Sequence, residues 1–210
     1  RRMGHYLAEE HPCDGIVVPV KSSGEHCAWG YFLRAKELGH NVTWEPDALL
    51  RPNTSGRVWV MPYEEMREEY LRIKFNTIEE LIRGQDIILV DDSIVRGETI
   101  KRVVALFRRA GARSVHVRCS SSQYYWPDIY GNDTYKDYLR NKLIARKMHG
   151  DVGRIAEEIG ADSLGYLSLE KTKQAILDVA EPGSSFTMDS FHDAVFTGVY
   201  ALGTGDYGIK

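Results

Sequence analysis

Apolar and polar positions alternate in blocks along this chain, and the blocks read as strands and helices taking turns. Residues 15–20 form a continuous apolar run, the pattern of a strand buried on both faces. Residues 25–38 carry apolar positions at helical spacing and stop at Gly39, a usual C-terminal signal. Residues 41–44 read as a short strand, 86–90 as the central strand, and 98–110 as an amphipathic helix ended by Gly111. Residues 114–119 read as the next strand, 151–159 as a helix closed by Gly160, and 169–179 as another helix. Residues 3–10 look like the end of a helix. Residues 77–83 read as a short one, with Thr77 and Glu80 spaced as a capping box. Strands alternating with helices predict an α/β fold with a doubly wound parallel sheet, where ligands bind beyond the carboxyl ends of the strands. Loops 21–24, 91–99 and 120–122 then converge on one edge.

Two stretches break the alternation. Residues 45–70 are interrupted by Pro46, Pro52, Asn53, Ser55, Gly56 and Pro62, then run into charge. A long irregular segment inside a compact domain is either disordered or functional. Residues 120–150 are aromatic and polar, with Tyr124, Tyr125, Trp126 and Tyr130, and read as a cap packed over a sheet edge in preference to a stacking platform for a base. The tail from Gly183 is loop-rich. The chain shows no internal repeat and no low-complexity tract.

The densest chemistry lies in residues 87–99, IILVDDSIVRGET. Four apolar residues bring the chain to Asp91 and Asp92, a turn holding Gly97 follows, and Thr99 opens the next helix. Such a turn aims backbone N–H groups and the positive end of a helix at one spot, where a phosphate fits. The acid pair adds hard oxygen ligands for Mg²⁺ or acceptors for sugar hydroxyls. From the pair alone, helix capping is an equal reading; the attached turn favours chemistry.

Composition narrows the classes. The 210 residues suffice for one α/β domain with a substantial core or for two small ones. A net charge of −3 gives no reason to propose nucleic acid or a membrane surface as partner. No apolar run approaches a membrane span, and no secretory signal is visible. The three cysteines, Cys13, Cys27 and Cys119, match no zinc spacing and read as structural thiols in a reducing cytosol. The seven histidines show no metal spacing. The start at Arg1-Arg2, without an initiator Met, reads as a fragment or a processed C-terminal portion.

The pattern of four apolar residues, two acids and a Gly-x-Thr turn resembles the phosphoribosylpyrophosphate (PRPP) signature of type I phosphoribosyltransferases. The longer string DDSIVRGET resembles the glutamine PRPP amidotransferase family, and RRMGHYLA, VVPVKSSG, GRVWVMP, RIKFN, YGNDT, IGADSLGYLS and VFTGVY agree in the same order. The resemblance implies a phosphoribosyltransferase domain over residues 1–180, with a mobile catalytic loop at 45–70 and a hood at 120–150, then a C-terminal extension at 181–210. It implies that Asp91 and Asp92 meet the ribose hydroxyls and Mg²⁺, with Ser23 as a further metal contact. Ser93, Ile94, Val95, Arg96, Gly97, Glu98 and Thr99 would wrap the 5′-phosphate, although the Arg96 side chain has no set role there. Lys21, Ser22, Ser23 and Gly24 match the pyrophosphate loop, and Arg57 and Lys74 match basic residues that stabilise the leaving group.

The chain departs from the family at three places. The pyrophosphate loop usually reads Pro-acid-Ser/Thr-Gly, whereas Lys21 and Ser22 make this loop more positive. A tyrosine of the mobile loop is replaced by Thr54. Where some members hold an iron–sulfur cluster with cysteines, this chain has Asp128, His192 and Val195, so no cluster is expected. The resemblance implies transfer of the ribose 5-phosphate group of PRPP to ammonia, the opening step of purine biosynthesis, in a cytoplasmic homo-oligomer. Ammonia would come from glutamine through a glutaminase domain upstream or on another chain. The departures also admit a paralogue using another amine or a heterocycle, and the fold admits a PRPP or nucleotide sensor without turnover.

Overall fold

The computed structural model describes residues 1–50, 75–131 and 134–209. Five strands form one parallel sheet: β1 (Gly15–Pro19), β2 (Val42–Trp44), β5 (Asp86–Asp91), β6 (Ser114–Cys119) and β7 (Ser163–Tyr166), in the order β2-β1-β5-β6-β7. Every pairing is parallel, with Ile88 of β5 beside Val17 on one side and His116 on the other. A two-stranded antiparallel pair, β3 (Leu49–Leu50) with β4 (Asn76–Thr77), stands apart from it.

Alternation along the central strand splits the core into two layers. Ile87 and Leu89 pack on one face with Val103 and Phe107 of α4 (Glu98–Arg109) and Ile155 and Ile159 of α7 (Val152–Ile159). Ile88 and Val90 pack on the other with Leu7 of α1 (Arg2–Glu10) and Ala28 and Tyr31 of α2 (Glu25–Glu37). Both faces of β5 are thus covered, which is why its apolar run is unbroken. The α/β doubly wound reading holds, with the sheet's carboxyl edge left to the loops.

Several local readings need correction. The helix at 77–83 shortens to α3 (Glu79–Ile82), and its N-cap is Ile78, with no capping side chain. Thr77 belongs instead to β4 beside Leu49, so the capping box is not formed. Residues 45–50 are not irregular: Pro46–Ala48 is a 3₁₀ turn, and Ala48 and Leu49 are fully buried. The rest of the predicted loop, from 51 to 70, lies outside the described residues. Strand β7 has no counterpart among the predicted elements.

The 120–150 region contains two short helices, α5 (Tyr135–Leu139) and α6 (Ile144–Lys147). Helix α8 (Leu169–Leu177) follows β7, and α9 (Ala194–Thr197) lies in the tail. The tail docks on the cap: Tyr125 and Trp126 both donate N–H to the Val195 carbonyl at 2.9 Å, and Tyr200 Oη donates to the Pro127 carbonyl at 2.6 Å.

Candidate functional site

At the carboxyl end of β5 the chain leaves the core abruptly. Asp91 is still buried, 5% exposed, while Asp92 faces solvent. Asp91 Oδ1 accepts from Ser23 Oγ at 3.0 Å and from the Asp92 N–H at 2.9 Å. The Ser93 N–H in turn donates to Asp92 Oδ1 at 2.8 Å. Among the described residues no cation stands against Asp91. Burial, and then the adjacent Asp92 carboxylate, push the Asp91 carboxyl above its ordinary range.

Three side chains of the turn that follows are engaged elsewhere in the fold. Ile94 is 2% exposed in the core, and Val95 packs against the aromatic cluster of the cap. Arg96 donates Nε–H to Asp137 Oδ2 at 2.9 Å, and a second guanidinium nitrogen reaches the same oxygen. Gly97 has φ +80°, which L side chains avoid, and its carbonyl accepts from Lys101 N–H at 2.9 Å as α4 begins. Among the described residues the backbone N–H groups of Val95, Arg96 and Gly97 have no acceptor. They lie beside the first turn of α4, and together these donors make a cradle for an anion.

The second loop faces the first across a cavity of about 660 Å³. Gly24 N–H closes it on the Val20 carbonyl at 2.9 Å, and Val20 N–H ties it to Val90 at 2.8 Å. Lys21 Nζ lies 3.1 Å from Asp47 Oδ1 on the 3₁₀ turn, an exposed pair worth at most about 1 kcal/mol. Thus Lys21, Ser22, Ser23, Asp91, Asp92 and the whole 93–99 turn line one cavity. Arg57 and Lys74 lie outside the described residues.

The third loop behaves differently from expectation. Ser120 N–H supports the Asp91 carbonyl at 2.9 Å from beneath, and Ser122 Oγ turns away to the Leu167 carbonyl at 2.8 Å. Neither lines the cavity; Phe75 and Thr134 do. Phe75 follows Lys74 in the RIKFN string. Thr134 closes the YGNDT string that the resemblance includes, whereas Asp137 carried no signal beyond the aromatic character of its neighbourhood.

Where family members with a cluster place cysteines, the side chains serve other contacts. Asp128 Oδ1 accepts the N–H of Tyr130 and Gly131 at 2.9 and 3.1 Å, and His192 lies 5.0 Å from the Tyr130 ring. Burial pushes the Cys27 and Cys119 thiols up to about 11 and about 12, away from the thiolate form.

Among the described residues no three His, Cys, Asp or Glu side chains group closely enough to hold a metal by themselves. Mg²⁺ does not need such a group, since it takes one or two carboxylates and fills the remaining positions with water and substrate phosphate oxygens. Asp91 and Asp92 fit this part, and Ser23 Oγ stands beside them.

Comparison with family profiles gave no match. Individual relatives do match. The amidophosphoribosyltransferase of Rhizobium etli is 37% identical over 201 residues, which is 95% of this chain and 38% of that protein. The amidophosphoribosyltransferase of Staphylococcus aureus is 36% identical over 206 residues, 97% of this chain and again 38% of the relative. Among solved structures, glutamine PRPP amidotransferase from B. subtilis, complexed with ADP and GMP, superposes with a TM-score of 0.73 at 33% identity, over 95% of this chain and 41% of that one. A second, described as the allosteric regulatory enzyme of purine biosynthesis, gives a TM-score of 0.76 at 32% identity, over 95% of this chain and 40% of that one. The chain spans about two fifths of the length of these relatives. Over nearly all of its own length, in both sequence and fold, the chain is similar to one part of the amidophosphoribosyltransferases.

Proposed function

We propose that this chain transfers the ribose 5-phosphate group of PRPP to ammonia, giving 5-phosphoribosylamine and pyrophosphate. One observation carries the reading: a buried–exposed carboxylate pair and the 93–99 turn share a single cavity with Lys21, Ser22 and Ser23. The 5′-phosphate takes the cradle at 93–99. Asp91 and Asp92 take the ribose hydroxyls and hold Mg²⁺ with Ser23, and the metal offsets the charge of the pyrophosphate. Residues 21–24 receive that pyrophosphate, with Arg57 and Lys74 as cations over the departing group. Ammonia attacks C1 as the C1–oxygen bond to pyrophosphate breaks, with inversion and through an oxocarbenium-like state. The chain contributes position and charge rather than a covalent intermediate.

A glutaminase part, in the stretch of the relatives that this chain does not span or on a separate chain, supplies the ammonia in this reading. The homo-oligomer and the cytoplasmic location rest on the family alone. A second reading, a paralogue with another amine or heterocycle as nucleophile, is favoured by Lys21, Ser22 and Thr54.

The test is pyrophosphate release from PRPP and Mg²⁺ with ammonium salts in place of glutamine. Release is expected, with a rate rising with pH as free ammonia increases. Release with another amine but none with ammonia moves the assignment to the paralogue. Tight PRPP binding with no release by any nucleophile favours a sensor.

A further inference from the structure

Arg96 sits in the middle of the 93–99 turn that lines the cavity, and its guanidinium is taken by Asp137. The two residues are 41 positions apart. Asp137 lies on α5 with its side chain only 11% exposed, so the pair is held out of water on the carboxylate's side. Two more contacts come from the same cap. Ile144 N–H donates to the Val95 carbonyl at 2.9 Å, and a Cβ added at Gly97 would lie 2.5 Å from Ile144 Cδ1. Helix α5 is itself seated: the Arg146 guanidinium lies 4.3 Å from the Tyr138 ring centre, and the Tyr135 ring meets Tyr207 of the tail at 4.6 Å.

A turn built on a left-handed glycine has many conformations when free. Ordering it only when ligand arrives takes free energy out of binding. We propose that Asp137 is a positioning residue for the phosphate turn: through Arg96 it holds residues 95–97 so that their N–H groups face the 5′-phosphate. This rests on the function proposed above. Arg96 then acts through the backbone. Its charge is matched by Asp137, and the substrate meets N–H donors rather than the guanidinium.

Calorimetry on the full chain separates this role from general support of the fold. One titration uses PRPP with Mg²⁺ and the other inorganic pyrophosphate with Mg²⁺, which has no 5′-phosphate. The nearly isosteric Asp137→Asn is expected to weaken PRPP by about tenfold or more while leaving pyrophosphate within about twofold, since misplaced donors penalise only the group they hold. Arg96→Gln should show the same split, and the double variant should be no worse than either single one, as for two residues acting as a unit. Amide exchange of the ligand-free variant should quicken at residues 94–99 and stay unchanged along β5 and β6.

A wild type that binds PRPP alongside variants that bind it equally well overturns the inference and leaves the function standing. An equal loss for both ligands, with exchange raised throughout the sheet, overturns it too, because it marks general damage. A wild type that does not bind PRPP overturns the functional reading and this inference with it.

Discussion

The two ends of β5 each carry an acidic residue, and the protein treats them in opposite ways. At the amino end Asp86 meets the Arg113 guanidinium through both oxygens and accepts from Ser114 Oγ at 2.6 Å. Those partners hold its carboxyl well below the usual carboxylate range, Arg113 first and Ser114 second. At the carboxyl end Asp91 has a hydroxyl and one N–H but no cation among the described residues, and it is the more deeply buried. A carboxylate whose counter-charge is supplied by its own chain is complete without a ligand. A buried one that lacks it among the described residues, next to a second acid, suits the cation that the proposed function brings with its substrate. On that reading the comparison sets a structural acid against a functional one on the same strand.

The largest expected effect follows directly. Asp91→Asn with Asp92→Asn should abolish Mg²⁺-dependent PRPP binding in calorimetry, because no hard anionic ligand is left for the metal. Asp86→Asn should leave that affinity unchanged. Unchanged PRPP binding in the double variant would remove the assignment of the site.

A second pair of substitutions sharpens the contrast through glycine. Gly15, with φ +138°, presses on the amino end, where an added Cβ would lie 2.5 Å from the Asp86 carbonyl oxygen. Gly24 presses on the other end, where it would lie 2.2 Å from the Val90 carbonyl oxygen. In both cases the clash is with sheet backbone, which does not yield. Gly15→Ala and Gly24→Ala are each expected to cost about 1–3 kcal/mol in denaturant titrations. Only Gly24→Ala should also weaken pyrophosphate binding, since only that end carries the proposed site. Equal losses of binding from both would mean that the ligand senses overall stability rather than the local loop.

Much of this arrangement was legible in the sequence. Strand β6 falls where its alternation put it, and β5 extends one residue past the predicted end to take in Asp91. Turn chemistry pointed to the 93–99 loop, which lines the cavity with Asp91 and Asp92, because Gly97 and the acid pair are local signals. What stayed hidden depends on long-range contacts or on very short elements. Strand β7 has four residues, includes a glycine, and is recognisable only by pairing with β6. Thr77 has the right spacing for a cap, but its pairing with Leu49 takes it into a strand instead. Asp137 sits among aromatic residues that read as a cap, and nothing local shows that its partner is Arg96. Lys21 read as added charge beside the pyrophosphate, and the fold places its ammonium on Asp47.

The smallest effect is in pH, and there the two acids should pull in opposite directions. An unfolded aspartate titrates near pH 4. The folded Asp86 value is depressed, so its contribution to stability is present above about pH 4 and fades as pH falls through the carboxylate range. Asp91 is raised, by burial first and then by the Asp92 charge, so the sign reverses. The ligand-free protein keeps this contribution below about pH 4 and loses it as pH rises through the elevated value. At pH 8, Asp91→Asn should therefore raise the melting temperature of the ligand-free protein, on the order of 2–4 °C, the shift that about 1 kcal/mol produces at this length. Asn at 91 keeps an oxygen for the Ser23 and Asp92 donors, so the gain comes from the removed charge. Asp86→Asn should lower it by less, since Arg113 is largely solvent-exposed and water screens the lost pair. The Asp91 difference should shrink toward pH 4, whereas the Asp86 difference should hold down to about pH 4 and fade only below it. Adding PRPP and Mg²⁺ should stabilise the wild type and leave Asp91→Asn far less affected. Differential scanning calorimetry across pH 4–8 reads all of this. Melting shifts of the same sign for the two variants at pH 8 would erase the distinction between the two ends of the strand.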